Sequence, residues 1–319
     1  MENQKIECNI HNYVYRLVPL ENSDLLILLE KKILCVKSPD YTLNNCLEII
    51  YQNSKIDAIS LWKDNCIIIK VKSKLIVLEL FTNNTNYRII SESDLEENIP
   101  LIFQRIIPLN NFSILLLNSS GKFITFYQPE PNKFSSQYTF IHKGYFNSFL
   151  QIKPDELVCN SADEKKVFFI DFKKGKIIKE INNIQTYLPD TDSFCKINDD
   201  VVAMGGDLRD GIYFFDINKR ELIYQYKKDY RGYHHLLSLG NNKFLGESYE
   251  GRCYGESDDD LEPLYCTKFF IYNTDTGKIK EYKSSDDRVF DLRRSNFVKF
   301  KNENKIAYYS DKIVYIEKI

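Results

Sequence analysis

The stretch 296–319, NFVKFKNENKIAYYSDKIVYIEKI, holds three short apolar runs, at 296–301, 305–309 and 312–317, separated by polar turns. Runs of this length, rich in β-branched and aromatic residues and bounded by Asn, Asp and Ser, read as strands. At the other end, 5–10, KIECNI, alternates Ile6, Cys8 and Ile10 with polar neighbours, as a half-buried strand does. Nothing strand-like precedes it. Three strands at one end and a lone strand at the other make one complete four-stranded unit when the ends meet.

The same four-strand order recurs between them. The best-formed unit has strands at 193–197, 200–204, 211–216 and 221–226, and the unit before it at 146–152, 156–160, 166–172 and 176–181. Units span roughly 12–52, 56–92, 101–142, 145–182, 192–228 and 232–283, with 295–319 plus 4–11 as the seventh. Regular repetition of a short sheet is the signature of a propeller, in which each sheet covers the faces of its neighbours. The expected fold is all-β: a seven-bladed β-propeller of four-stranded antiparallel blades, one domain over 1–319, closed by pairing of the N-terminal strand with the C-terminal blade.

Bulk properties fit this reading. The chain has 319 residues, a length that all-β domains reach as single units. Charged residues make up 28% and the formal net charge is -2, so no global field points to nucleic acid or an anionic membrane. No secretory signal is apparent in 1–30, and no apolar run approaches a membrane span. The eight cysteines lie mostly within apolar strand patterns and form no CxxC pair, which suits reduced thiols in the cytoplasm, with the nucleus as the alternative. Trp62, the one tryptophan, ends a first strand and is expected to pack between blades.

The ends of the third strands carry a family resemblance. Ile170 and Asp171 followed by Gly175 and Lys176, Phe215 and Asp216, and Tyr272 and Asn273 followed by Gly277 and Lys278 resemble the Trp-Asp dipeptide and Gly-Lys turn of WD40 repeats. The other units carry Val36 and Lys37, Leu78 and Glu79, Phe126 and Tyr127, and Ile316 and Glu317 there. First strands begin near 13, 57, 104, 147, 193, 234 and 296, spacings closer to a WD40-type period than to the longer kelch period. The resemblance implies a non-catalytic scaffold or adaptor that binds other proteins.

Catalytic signatures are missing: there is no Walker-type loop, HExxH or nucleophile elbow. His234 and His235 with Cys253 and Cys266 lack ligand spacing, and Ser161, Ala162 and Asp163 reproduce only a fragment of a sialidase Asp-box. The acidic run 256–262 lacks the glycine turn of a calcium loop. No cofactor, metal or small-molecule substrate is expected, and the chain reads as a protein without enzymatic activity.

One asymmetry suggests a site. In an up-and-down blade, the links between second and third strands and those between blades emerge on one rim. Six of the ten arginines fall in such links of the last three units: Arg209, Arg231, Arg252, Arg288, Arg293 and Arg294. Arginine offers a planar fork for carboxylate or phosphate, and tyrosine accompanies it at protein interfaces. Tyr233 and Tyr254 lie among them, and glycines at 205, 206, 211, 232, 251 and 255 are expected to loosen these loops. The expected partner is a protein or peptide of acidic, phosphorylated or extended character. Neighbouring aspartates, Asp207, Asp210, Asp286 and Asp287 among them, offer the competing reading of pairing within the rim. The alternatives in function are a structural subunit of a larger assembly and a ligand-binding or hydrolytic propeller using Asp207 and His234 at the channel mouth. Nucleic acid is disfavoured because basic residues form no continuous stripe.

Overall fold

A computed structural model describes residues 4–7, 14–63, 65–81, 86–95, 105–109, 114–117, 123–130, 133–142, 144, 146, 148–184, 194–206, 210–227, 231–253, 264–282, 297–310 and 313–319. Within them the chain is all-β, apart from one 3-10 turn at Leu43–Asn45. After β1 (Gln4–Glu7), the strands follow in fours: β2 (Arg16–Pro19), β3 (Leu25–Leu28), β4 (Lys32–Val36) and β5 (Leu47–Ile50), then β6 (Ala58–Lys63), β7 (Cys66–Val71), β8 (Lys74–Leu80) and β9 (Tyr87–Asp94). The third and fourth sets are β10 (Arg105–Pro108), β11 (Ile114–Leu117), β12 (Phe123–Glu130) and β13 (Lys133–Ile141), and β14 (Ser148–Lys153), β15 (Glu156–Ser161), β16 (Lys166–Asp171) and β17 (Lys176–Asn182). The fifth is β18 (Phe194–Lys196), β19 (Val201–Gly205), β20 (Ile212–Asp216) and β21 (Glu221–Tyr226), and the sixth β22 (Arg231–Gly240), β23 (Lys243–Cys253), β24 (Leu264–Asn273) and β25 (Lys278–Tyr282). Last come β26 (Val298–Lys299), β27 (Lys305–Ser310) and β28 (Ile313–Lys318).

Among the described residues these strands form seven four-stranded antiparallel sheets, and the last has the order β1-β28-β27-β26. The N-terminal strand therefore completes the C-terminal sheet, with Lys5 opposite Tyr315 and Ile6 opposite Val314. The strand is Gln4–Glu7, where the alternation predicted 5–10; residues 8–10 lie outside the described residues.

Two compact units divide the chain, one of residues 1–143 and 296–319 and the other of 144–295. In the first, apolar faces of the first and second sheets share one core cluster, those of the first and seventh another, and those of the second and third a third. In the second unit the fourth and fifth sheets share a cluster, as do the fifth and sixth. This stacking explains why second strands such as β3 (LLIL) and β7 (CIIIKV) are apolar throughout, since both of their faces are covered. The exception proves costly enough to need a partner: Lys70 in β7 is fully buried and places its ammonium 2.9 Å from Asp57. Trp62 packs, partly buried, on the cluster shared by the second and third sheets.

The residues that resemble the WD40 dipeptide have a local task. The Asp171 carboxylate accepts the Lys174 backbone N–H, Asp216 accepts those of Asn218 and Lys219, and Asn273 those of Asp275 and Thr276. Each side chain thus stands in for a backbone acceptor and closes the turn into the fourth strand. The first sheet inverts this arrangement, because Lys37 reaches back to the buried Asp24, which also accepts the Ser38 N–H and an Asn22 amide proton. In the last sheet, Glu317 is buried and accepts the Tyr308 hydroxyl at 2.7 Å.

A β-bulge recurs beside this position. In the second, third, fourth and fifth sheets the pairing of third and fourth strands slips by one residue, leaving Ile90, Gln137, Ile178 and Ile223 as the extra residues. In the third sheet the slip falls before Tyr127, so the residues in the dipeptide's place are Tyr127 and Gln128 rather than Phe126 and Tyr127.

Candidate functional site

The links of the last three repeats were expected to be loose and arginine-bearing, and in two of them the structure extends the flanking strands. β22 starts at Arg231 and β23 runs to Cys253, so Arg231, Tyr233 and Arg252 lie on a long hairpin, with Arg231 directly opposite Glu250. Tyr233 is a correction: it is 2% exposed and belongs to the core. Its ring meets Phe270 edge-on at 5.0 Å and Tyr226 at 6.5 Å, and its N–H donates to the Gly206 carbonyl. A ring so enclosed cannot offer contact area to a partner. Arg209, Tyr254, Arg288, Arg293 and Arg294, with Asp207 and the acidic run 256–262, lie outside the described residues.

Two of these glycines, Gly206 and Gly211, sit at sterically tight, hydrogen-bonded positions, and Gly255 lies outside the described residues. Gly211 has φ +74, and a Cβ there would sit 1.8 Å from the Tyr226 carbonyl oxygen. The Gly206 N–H donates to the Gly211 carbonyl, and the Gln225 amide donates to that of Asp210. The described residues on either side of this link, Gly206 and Asp210 with Gly211, are therefore held by hydrogen bonds.

The opposite turns, carrying Lys173, Lys174, Lys219 and Arg220, are internally paired. Arg220 forms the bidentate clamp that arginine geometry allows, with Glu156 of the neighbouring sheet at 2.7 and 3.2 Å. Lys173 approaches Asp155, Lys174 approaches Asp171 and Lys219 approaches Glu221. Burial pushes the Asp171 carboxyl upward, but the Lys174 N–H and ammonium outweigh it and hold the group below its usual range. The two N–H donors do the same for Asp216.

Sequence reasoning missed the pair His235 and Glu247. Glu247 is fully buried on β23, and its carboxylate lies 4.0 Å from the imidazole of His235. The pairing of β22 with β23 slips between His234 and Leu237, and His235 takes φ +44, a left-handed conformation unusual for a residue with a side chain. The signal in the sequence was a glutamate directly after Phe244, Leu245 and Gly246, within a strand pattern, where Gly246 lets Phe270 and Leu236 close in. At 4.0 Å the two groups lie beyond hydrogen-bond distance, so they interact through charge when the imidazole is protonated. Strained backbone of this kind concentrates at functional sites.

Nearby, Phe214, Phe244, Phe270 and Tyr272 form a continuous aromatic cluster between the fifth and sixth sheets. Burial, reinforced by the Tyr224 and Tyr226 phenols, pushes the Tyr272 hydroxyl up to about 12, so it remains a hydrogen-bond donor at neutral pH. Thiols behave as small apolar groups: burial raises Cys35 to about 11 and Cys195 to about 12. Among the described residues, no three His, Cys, Asp or Glu side chains converge as a metal-ligand set, and no helix is long and apolar enough to cross a membrane.

No protein-family model matches the chain, and no curated sequence matches it. Solved structures do. A streptogramin B lyase aligns with a TM-score of 0.70 at 12% identity, over 100% of this chain and 98% of that one. A chain of the mitotic checkpoint complex aligns with a TM-score of 0.68 at 9% identity, over 96% of this chain and 90% of that one. The β-propeller domain of Myceliophteria thermophila Cps50 (Swd1) aligns with a TM-score of 0.66 at 10% identity, over 97% of each chain. The fold these likenesses define is the β-propeller. At such identities they speak to fold alone.

Proposed function

We propose that the protein is a non-catalytic interaction scaffold, built as a single closed seven-bladed propeller over 1–319 and working in the cytoplasm or nucleus. The observation that carries this reading is the whole-chain likeness to WD40-like propellers, one of which is part of a multi-protein complex. The rim bearing Arg209, Arg231, Arg252 and Arg288, with Arg293, Arg294 and Tyr254, binds an acidic, phosphorylated or extended segment of a partner protein, the guanidinium groups clamping its oxyanions. Tyr233 contributes from beneath, by fixing the strand on which Arg231 sits. Native co-purification with mass spectrometry tests the scaffold role, and a stable set of partner proteins is the expected result. If replacing Arg231, Arg252 and Arg288 with alanine leaves every partner bound, the rim assignment fails. A structural subunit of a larger assembly would instead elute only in a large complex on size exclusion.

A second reading, of an enzyme, has one specific observation in its favour: the buried His235 and Glu247 on a strained strand, in a fold shared with a lyase. It predicts that small molecules raise the melting temperature of the purified protein, and that His235→Ala removes that response.

A further inference from the structure

β17 and β21 are the outer strands of neighbouring sheets, and each ends its sheet. An edge strand normally offers unpaired backbone groups to another strand. Both strands bulge at the same place, however, with Ile178 and Ile223 as the extra residues, and a bulge breaks the regular spacing that a docking strand needs. What these edges offer is side chain. Ile178, Leu222, Ile223 and Tyr224 are all exposed, the last two by 53%, and 222–224 is the longest run of exposed large apolar residues in the described chain. Tyr224 is held rigidly, stacked on Phe214 at 5.9 Å.

The surrounding charge has a sign. Glu180 is taken by Lys166, Glu221 by Lys219 and Glu156 by Arg220, which leaves the exposed Lys176 and Lys179 in surplus. Register places Lys179 opposite Phe169 and Leu222 opposite Phe215, and those two phenylalanines share one core cluster. Lys179 and Leu222 therefore flank the same seam between the fourth and fifth sheets.

We infer that this seam binds an amphipathic helix of a partner protein, its apolar stripe covering Leu222, Ile223 and Ile178 and its flanking carboxylates meeting Lys176 and Lys179. A helix satisfies its own backbone hydrogen bonds and so needs no regular edge for pairing, whereas a strand docked on the bulged edges would leave groups unpaired. Leu222 and the exposed isoleucines supply the anchors, and the lysines supply charge complementarity. The inference rests on the scaffold reading for the nature of the partner, but it does not use the arginine rim.

The test uses the full chain and three labelled synthetic peptides of about five helical turns: an acidic amphipathic helix, a scramble of it without the stripe, and a basic amphipathic counterpart. The acidic helix is expected to bind at least about ten-fold tighter than both controls, as read by fluorescence anisotropy. Ile223→Glu and Lys179→Glu are each expected to weaken it by about ten-fold with thermal unfolding unchanged, while Arg231→Ala with Arg252→Ala leaves it intact. Should Ile223→Glu unfold the protein, Ile223→Ser reads the same contact. Equal binding of the scramble, or insensitivity to the Ile223 and Lys179 variants, overturns the inference. Loss of binding only in the arginine variants also overturns it and moves the peptide to the rim, with the scaffold reading standing. A concentration-dependent dimer abolished at position 223 overturns it too, because the occupant is then a second copy. Failure of the scaffold reading shows separately, as native material that co-purifies with no protein.

Discussion

Gly211 shows how a single residue governs the surface on which function was sought. Its φ of +74 lies where a side chain is strained, and an added Cβ would fall 1.8 Å from the Tyr226 carbonyl oxygen. Gly211→Ala must therefore move β21 or the 206–211 turn, and a loss of about 2–3 kcal/mol in chemical unfolding is expected. A change below about 0.5 kcal/mol would show that Gly211 is not held as described. Tyr233 depends on the same turn, since its N–H bonds to Gly206. In sequence these glycines and tyrosines look like features of a flexible binding loop, because composition alone does not distinguish a glycine that frees the backbone from one that a tight turn requires. His235 and Glu247 were illegible for a related reason: alternation assigns a face to each residue, and a bulge at 235–236 reverses that assignment without leaving a mark in the composition. Cysteines were easier to read, since burial in apolar strands both hides a thiol and raises its pKa.

Strand and turn are the scale at which the sequence speaks most clearly. β21 occupies Glu221–Tyr226, as its pattern predicts, because a short β-branched and aromatic run between polar turns has few other ways to fold. The sixth sheet was read too short, since Arg231, Tyr249, Glu250 and Arg252 lack the apolar alternation that marks a strand. There the strands are extended by cross-strand pairing with their neighbours. Turn chemistry carries similar weight. Asp24 is 5% exposed and accepts hydrogen bonds from Lys37, Asn22 and the Ser38 N–H, tying the first turn of its sheet to the end of the third strand. Asp24→Ala leaves these donors without their acceptor and is expected to cost about 1–3 kcal/mol. Asp216→Ala, in a more exposed turn, is expected to cost less than Asp24→Ala. Equal effects in denaturant titrations of the two variants would contradict the difference in burial.

For the molecule as a whole, two measurements bear on how the ends and charges hold it together. Lys74 and the Tyr51 hydroxyl hold Glu92 below its usual range, and Asp171, Asp216 and Glu303 are depressed as well. A carboxyl whose folded pKa is lowered binds its proton more weakly than in the unfolded chain, so its contribution is present above the unfolded value and is lost as pH falls through the folded one. The melting temperature should therefore be flat from about pH 6 to 5 and fall below about pH 4, and a continued rise in stability toward pH 3 would rule these pairs out as a net stabilising set. The termini give the sharper test. β1 covers the outer edge of β28 through the pairs Gln4 with Ile316, Lys5 with Tyr315, Ile6 with Val314 and Glu7 with Ile313, contacts that join the two ends of the chain. Removing residues 1–11 deletes that ladder and bares an apolar edge, IVYIEK, in a strand whose Val314 and Ile316 sit in the cluster shared with the first sheet. A loss of about 2–3 kcal/mol would lower the melting temperature by about 5–10 °C, and the bared edge should make the truncated protein associate at high concentration. Restoring residues 1–11 as a separate peptide should recover part of the loss, because the strand pairs through its backbone and needs no covalent link. If the truncated protein melts with the full chain and the peptide adds nothing, β1 contributes no stability, and the last sheet stands on three strands.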